Sequence, residues 1–375
     1  MQNLLLPLHH IKTDNRASLV TNKRIINIRR IIGSRKLDGF LITDIKNIRY
    51  LTGFTGSSGF LIITKNNNLF FTDFRYKEQA EAEVTGWEIT IEKGRRTKLI
   101  AGVAKKLAIK KLGFEQSITF EFYDLLRAKL PAVPSPQKNL VENLRKIKDE
   151  EEIGSIKKAV ERAEEAFLAV KPKIRPGIKE RDIALRIEDQ LKKRGCKRPA
   201  FDIITASGKN SSMPHARPAE KKIEKGDFVI IDWGGEADGY YSDMTRTLLM
   251  NGKGLSDKIR IYETVNNARK KALSSAKEGI KTEDIDAAAR DVIKKAGYGE
   301  FFGHGTGHGV GLDVHEHPRV SWTGSERVRN GMVFTIEPGI YIPKLGGVRI
   351  EDMILVKNGK AELLTGLNRD LEIIN

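Results

Sequence analysis

Apolar and polar positions in the first third of the chain alternate between helical and strand spacing, and so predict helices and strands in turn. Residues 18–36 read as a basic helix, followed by strands at Gly39–Thr43 and Gly59–Thr64. Asn66, Asn67 and Asn68 predict a turn into a strand at Leu69–Thr72, and a helix carrying Tyr76, Ala80 and Val84 follows. A strand at Gly86–Glu92, a helix at Lys98–Lys106, a strand at Lys111–Glu115 and a helix near Tyr123 continue the alternation. Such a pattern implies a sheet covered by helices. Within it, GFTGSSG (Gly53–Gly59) reads as a turn rather than an anion-binding loop, and no candidate catalytic groups cluster there.

The three prolines of PAVPSPQKN (Pro131–Asn139) make it the most linker-like stretch. After it, Ile153, Ile156, Val160 and Ala163 stand near helical spacing, which predicts one long helix through NLRKIKDEEEIGSIKKAVERAEEAF. The boundary falls near Leu144, giving domains at 1–143 and 144–375. The second domain then offers helices at Lys179–Lys193, Asp257–Ala276 and Thr282–Lys295 around a hairpin, an arrangement suggesting two related halves.

That hairpin, FVIIDWGGEADGYYSDMTR (Phe228–Arg246), holds the first candidate chemistry. A loop centred between Ala237 and Asp238 sets Asp232 directly opposite Asp243, where two carboxylates call for a shared proton or cation. A one-residue slip of the turn, to a tight turn at Asp238-Gly239, instead leaves two unrelated surface aspartates.

Composition sets limits. A 375-residue chain, 39% hydrophobic and 31% charged, is ordinary for a folded protein with two cores. The single cysteine, Cys196, allows no internal disulfide, fits a reducing compartment and lacks a nearby histidine to make it a nucleophile. No apolar run approaches the ~18 residues of a membrane span, and MQNLLLPLHHIKTDNR lacks the pattern of a secretory signal, so a cytoplasmic protein is expected. The net charge of +17 is spread among acids along the chain, which favours a solvated surface over nucleic-acid binding.

Four of the seven histidines lie in GHGTGHGVGLDVHEHP (Gly303–Pro318), Glu337 lies in VFTIEPG and Glu351 in VRIEDMILV. Asp232, Asp243, His308, Glu337 and Glu351 together give four carboxylates and one imidazole, a donor mixture suited to Mn²⁺ or Co²⁺. The order of these motifs, with FDIITASGKNSSMPHARP (Phe201–Pro218) and, near the amino terminus, NIRYLTGFTGSSG and TDFRYKEQA, resembles the pita-bread metallopeptidases of the proline-specific branch. Nearly the whole chain is covered by the resemblance.

It implies an α/β (α+β) fold, with a small creatinase-like α/β domain followed by a pita-bread catalytic domain. It also implies two divalent ions, most simply Mn²⁺ with Co²⁺ or Zn²⁺ as alternatives, between Asp232, Asp243, His308, Glu337 and Glu351. A water between two such ions is a nucleophile at neutral pH, with Glu337 placed to accept its proton. His215, His304 and His315 match positions that handle substrate, Arg349 orients a ligand carboxylate or binds substrate, and Arg319 is a candidate for a terminal carboxylate. His317, His9 and His10 are read as surface residues. The expected activity is cleavage of the Xaa-Pro bond at the amino terminus of short peptides, by a homodimer; the alternative is a dipeptidase restricted to Xaa-Pro dipeptides. A metal-free binding protein and a methionine aminopeptidase fit less well, since all five ligand types are present and the amino-terminal domain is large.

Overall fold

The computed structural model describes the chain from residue 15, and its side chains from residue 22, so His9 and His10 lie outside the described residues. The chain forms two compact units, Met1–Leu144 and Arg145–Asn375.

The first unit is built on a six-stranded sheet. Its strands, in spatial order, are Glu88–Ile91, Asn68–Thr72, Phe60–Thr64, Gly39–Ile42, Lys111–Glu115 and Val133–Gln137. Leu41, Phe60, Phe71, Ile100, Leu112, Phe114 and Leu126 form its core. The proline-rich stretch is therefore not a linker. Val133–Gln137 pairs in parallel with Lys111–Glu115 as the edge strand. Pro134 and Pro136 are two residues apart, so both missing N–H groups fall on the same side, which only an edge strand tolerates.

The second unit contains a four-stranded and a five-stranded sheet. The helix over Glu150–Val170 packs against Glu180–Lys193 beside the first, and Ser256–Ser275 packs against Thr282–Lys295 beside the second. Val265, Ile285, Phe334 and Ile354 share one buried cluster with Phe228 and Leu249 of the four-stranded sheet, which joins the two halves. The long helix starts later than the periodicity predicts. Asp149 caps it by accepting from the N–H groups of Glu151 and Glu152, Glu152 closes the capping box, and Glu142–Arg145 is a separate short helix. Among the described residues no helix is long and apolar enough to cross a membrane.

The hairpin register also differs from the symmetric pairing. Ala237 pairs with Tyr240 around a two-residue turn, and both turn residues are left-handed, Asp238 at φ 49° and Gly239 at φ 79°. This is the geometry that matches strand twist and suits Asp-Gly. Asp232 consequently faces Thr245, not Asp243. Asp243 lies two residues from Thr245 on the same face, a diagonal neighbour at roughly 7–8 Å between backbones. Both aspartates are nevertheless buried, 8% and 4% exposed, so the slipped turn does not send them to the surface. Diagonal spacing leaves room for an ion that direct opposition would crowd.

Candidate metal centre

A second pair of strands supplies the other carboxylates. Val333–Ile336 pairs with Asp352–Lys357, and Gly339–Ile342 pairs with Gly346–Arg349, in one common register. Between the two ladders Glu337 and Glu351 stand opposite each other. The ladder opens there because the Glu351 N–H donates across to the Thr245 carbonyl of the first hairpin, and the Glu337 N–H donates to the Thr306 carbonyl. Two paired acids from one ladder thus meet two from the other.

His308 closes the cluster from the strand Gly307–Gly309. Its Nε2 lies 3.5 Å from Asp243 Oδ2 and 3.3 Å from Glu337 Oε1. Its Nδ1 donates to the Gly309 carbonyl at 3.1 Å, which fixes the tautomer that leaves Nε2 free to ligate. Gly307 is needed here, since a Cβ would stand 2.0 Å from the Thr335 carbonyl oxygen.

These donors group into overlapping trios: Asp232, Asp243 and Glu351; His308, Glu337 and Glu351; and Asp243, His308 and His315, with donor atoms of each trio within 4.8 Å of one another. Burial first, and then repulsion from Glu351, Asp232 and Glu337, pushes the Asp243 carboxyl well above its ordinary range. Burial and repulsion from Glu337 and Asp232 do the same to Glu351, and burial raises Glu337 as well. Burial pushes His308 down toward its neutral, ligating form. Asp232 Oδ1 is buried without a hydrogen bond. Buried acids that repel one another, an acceptor without a donor and a neutral imidazole form a set that divalent cations satisfy.

The surrounding groups hold these candidate donors in place. Buried Arg349 donates from Nη2 to Asp232 Oδ2 at 2.6 Å, from Nε to Thr245 Oγ1 at 3.0 Å and from Nη1 to the Tyr341 hydroxyl at 2.9 Å. The Thr245 hydroxyl in turn donates to Glu351 Oε2 at 2.7 Å. Arg349 therefore holds Asp232 and Thr245 in place, although it also reaches the cavity wall. Tyr341, pushed up to about 12 chiefly by burial, stands 2.9 Å from His304 Nε2. The other His304 nitrogen meets the Gly305 carbonyl at 2.8 Å, so its ring is engaged at both ends. Burial lowers His304, and burial with the neighbouring His308 lowers His315, whose ring lies 4.3 Å from that of His308.

The cluster forms part of the wall of a cavity of about 820 Å³ lined also by Phe201, Ile203, Pro214, His215, Arg319 and Trp322. All ten sequence-predicted site residues line this cavity. Arg319 pairs in register with His308, so the two side chains rise from the same sheet face. His317, read from sequence as a surface residue, also lines the cavity and lies 3.2 Å from Glu326. Thr245 and Tyr341 were not singled out by sequence. Tyr341 could have been, since it continues the alternation Glu337, Gly339, Tyr341; Thr245 depends on the turn register. Cys196 is buried, with its thiol raised by desolvation, and is not part of the cavity lining.

A cavity walled in part by paired carboxylates and an imidazole, with further histidines around it, defines the class: a metal-dependent hydrolase on an α/β scaffold. The chain belongs to metallopeptidase family M24, matched over residues 154–358, and its amino-terminal part matches the creatinase/prolidase N-terminal domain over residues 24–147. A Xaa-Pro dipeptidase of Pyrococcus horikoshii is 40% identical, with 94% of this chain and 99% of the relative aligned. Among solved structures, a Xaa-Pro dipeptidase from Bacillus anthracis superposes with a TM-score of 0.92 at 39% identity, covering 94% of this chain and all of the other. An X-Pro aminopeptidase from Thermotoga maritima superposes with a TM-score of 0.85 at 34% identity, over 93% and 99% of the two chains. The two-domain architecture, the family and the hydrolase class expected from the motifs are thereby established.

Proposed function

We propose that this chain hydrolyses the Xaa-Pro bond at the amino terminus of short peptides, dipeptides included, with two divalent ions held by Asp232, Asp243, His308, Glu337 and Glu351. The observation that carries the reading is the meeting of two carboxylate pairs and His308 Nε2 in the cavity wall. Ions bound there supply a water of lowered pKa and polarise the scissile carbonyl. The carboxylate-rich donor set favours Mn²⁺ over thiolate-seeking metals.

The remaining work falls to the chain's own groups. Thr335 donates to Glu337 Oε1 at 3.3 Å, which leaves Oε2 to accept the proton of the attacking water. A bond to proline is a tertiary amide, so the leaving nitrogen must be protonated before it can depart as an amine. His215 and His315 are exposed in the cavity and supply donors for that nitrogen and for the developing oxyanion. Phe201, Ile203 and Pro214 offer the apolar wall a pyrrolidine ring requires. Arg319 is proposed to receive a carboxylate that directly follows proline, an interaction available to a dipeptide. The buried single cysteine fits the proposed cytoplasmic setting, and the proposed homodimer rests on the family alone.

Kinetics on Ala-Pro beside Ala-Pro-Ala test this reading. Both are expected to be cleaved while Ala-Ala is not. A dipeptide preference of tenfold or more in kcat/KM, about 1.4 kcal/mol, that disappears in Arg319→Ala would restrict the enzyme to dipeptides. Failure to cleave any Xaa-Pro substrate with metal supplied would overturn the reading.

A further inference from the structure

The segment from Gly311 to His315 forms no regular ladder, although it carries a histidine to within reach of the carboxylate–histidine cluster. Gly311 is tied through its backbone to Tyr241 and Asp313, and side chains hold the segment beyond it. We propose that Arg145 and Lys148 are positioning residues for hydrolysis, acting through Glu316 to fix the imidazole of His315 beside His308. This rests on the peptidase reading of the site.

Glu316, next to His315, receives both cations: Arg145 Nη2 donates to Oε2 at 2.7 Å and Lys148 Nζ donates to Oε1 at 2.6 Å. Arg145 Nη2 also donates to Asp313 Oδ2 at 2.6 Å, so the clamp grips the chain on both sides of His315. The side chains of Arg145 and Lys148 are only 4% and 1% exposed, and that of Glu316 only 8%. Ion pairs so far from water hold their geometry, because losing one partner strands a buried charge. Gly311 makes room for the clamp, since a Cβ there would stand 2.6 Å from Glu316 Oε1.

The clamp is itself anchored. The Lys148 N–H donates to the Gly331 carbonyl at 2.8 Å, and Ile147 bridges to Met332 at the start of the strand that leads to Glu337. One short segment therefore registers His315 against both His308 and Glu337. Neither Arg145 nor Lys148 lines the cavity, so both act at one remove from substrate.

A double-mutant cycle on Ala-Pro hydrolysis separates positioning from general support of the fold. Glu316→Gln is expected to lower kcat about ten- to hundredfold, the scale of a 1 Å misplacement, with KM little changed. In a His315→Ala background the same substitution is expected to cost less than twofold. Arg145→Met and Lys148→Met are expected to repeat the pattern, with Arg145→Lys recovering part of the loss. Modification of His315 by diethyl pyrocarbonate, followed by mass spectrometry, is expected to speed up several-fold in Glu316→Gln. Equal losses in the two backgrounds, or an unchanged labelling rate in all these variants, would overturn the inference. Should the wild type cleave no Xaa-Pro peptide, the functional reading falls and labelling alone still decides the clamp.

Discussion

Replacing Glu351 by glutamine should stabilise the metal-free protein while disabling the metal-loaded one. Glu351 is 2% exposed, accepts from Thr245, and is raised well above the ordinary 4.5 by burial and by repulsion from Glu337 and Asp232. A carboxyl raised in the folded state takes up protons on folding. Its contribution is therefore full below the unfolded value and is lost as pH climbs through the folded one. Glutamine keeps a carbonyl for Thr245 and has no charge to bury. One group changes stability by at most about 1.4 kcal/mol per pH unit. For a unit spanning residues 145–375, 1 kcal/mol moves Tm by ~2–4 °C, so the variant should gain up to roughly 3–6 °C over wild type per pH unit. The three lowered histidines work in the opposite sense near 6.5, but they are common to both proteins and cancel in the difference. Calorimetry of EDTA-treated wild type and Glu351→Gln from pH 5 to 8 should show a gap that widens with pH. At a hundredfold excess over its Kd, a divalent ion should add ~2.7 kcal/mol to wild type only, reversing the order. A gap that stays constant with pH, or a variant that metal stabilises as strongly as wild type, would show that Glu351 is neither a buried raised carboxyl nor a metal donor.

Three further outcomes follow from the groups around the cluster. His315→Ala should slow turnover by the ~10²–10⁴-fold usual for general acid–base groups with both metals retained. His304→Ala should cost less, because both of its ring nitrogens are engaged by Tyr341 and Gly305; steady-state kinetics with metal analysis check both. Arg349→Met strands Asp232 Oδ2 and should destabilise the metal-free protein by ~3–5 kcal/mol, the usual cost of breaking a buried pair. Urea unfolding measures that loss directly.

The grouping of these side chains was legible in part from sequence, because each acid lies in a short strand or directly beside one, and because glycines mark the close approach around His308. What sequence could not supply is register. A single-residue difference at the Asp238-Gly239 turn decides whether Asp232 faces Asp243 or Thr245, and local propensity alone does not choose between a tight primed turn and a wider loop. The opposition of Glu337 and Glu351 is likewise a property of pairing across a gap in two ladders. Pro131–Asn139 misled because prolines signal a linker and an edge strand alike. The long helix was overextended because apolar spacing outran the stop that the Asp149 cap imposes.

Divalent ions bound by the carboxylate–histidine cluster are expected to be required for hydrolysis. Titrating Mn²⁺ into EDTA-treated protein by calorimetry, with Ala-Pro turnover measured at each point, tests it most directly. Two ions are expected to bind per chain, with turnover rising from background as they bind and neither binding nor turnover restored in Asp243→Asn. Full turnover in the metal-free protein, or unchanged Mn²⁺ binding in Asp243→Asn, would contradict it.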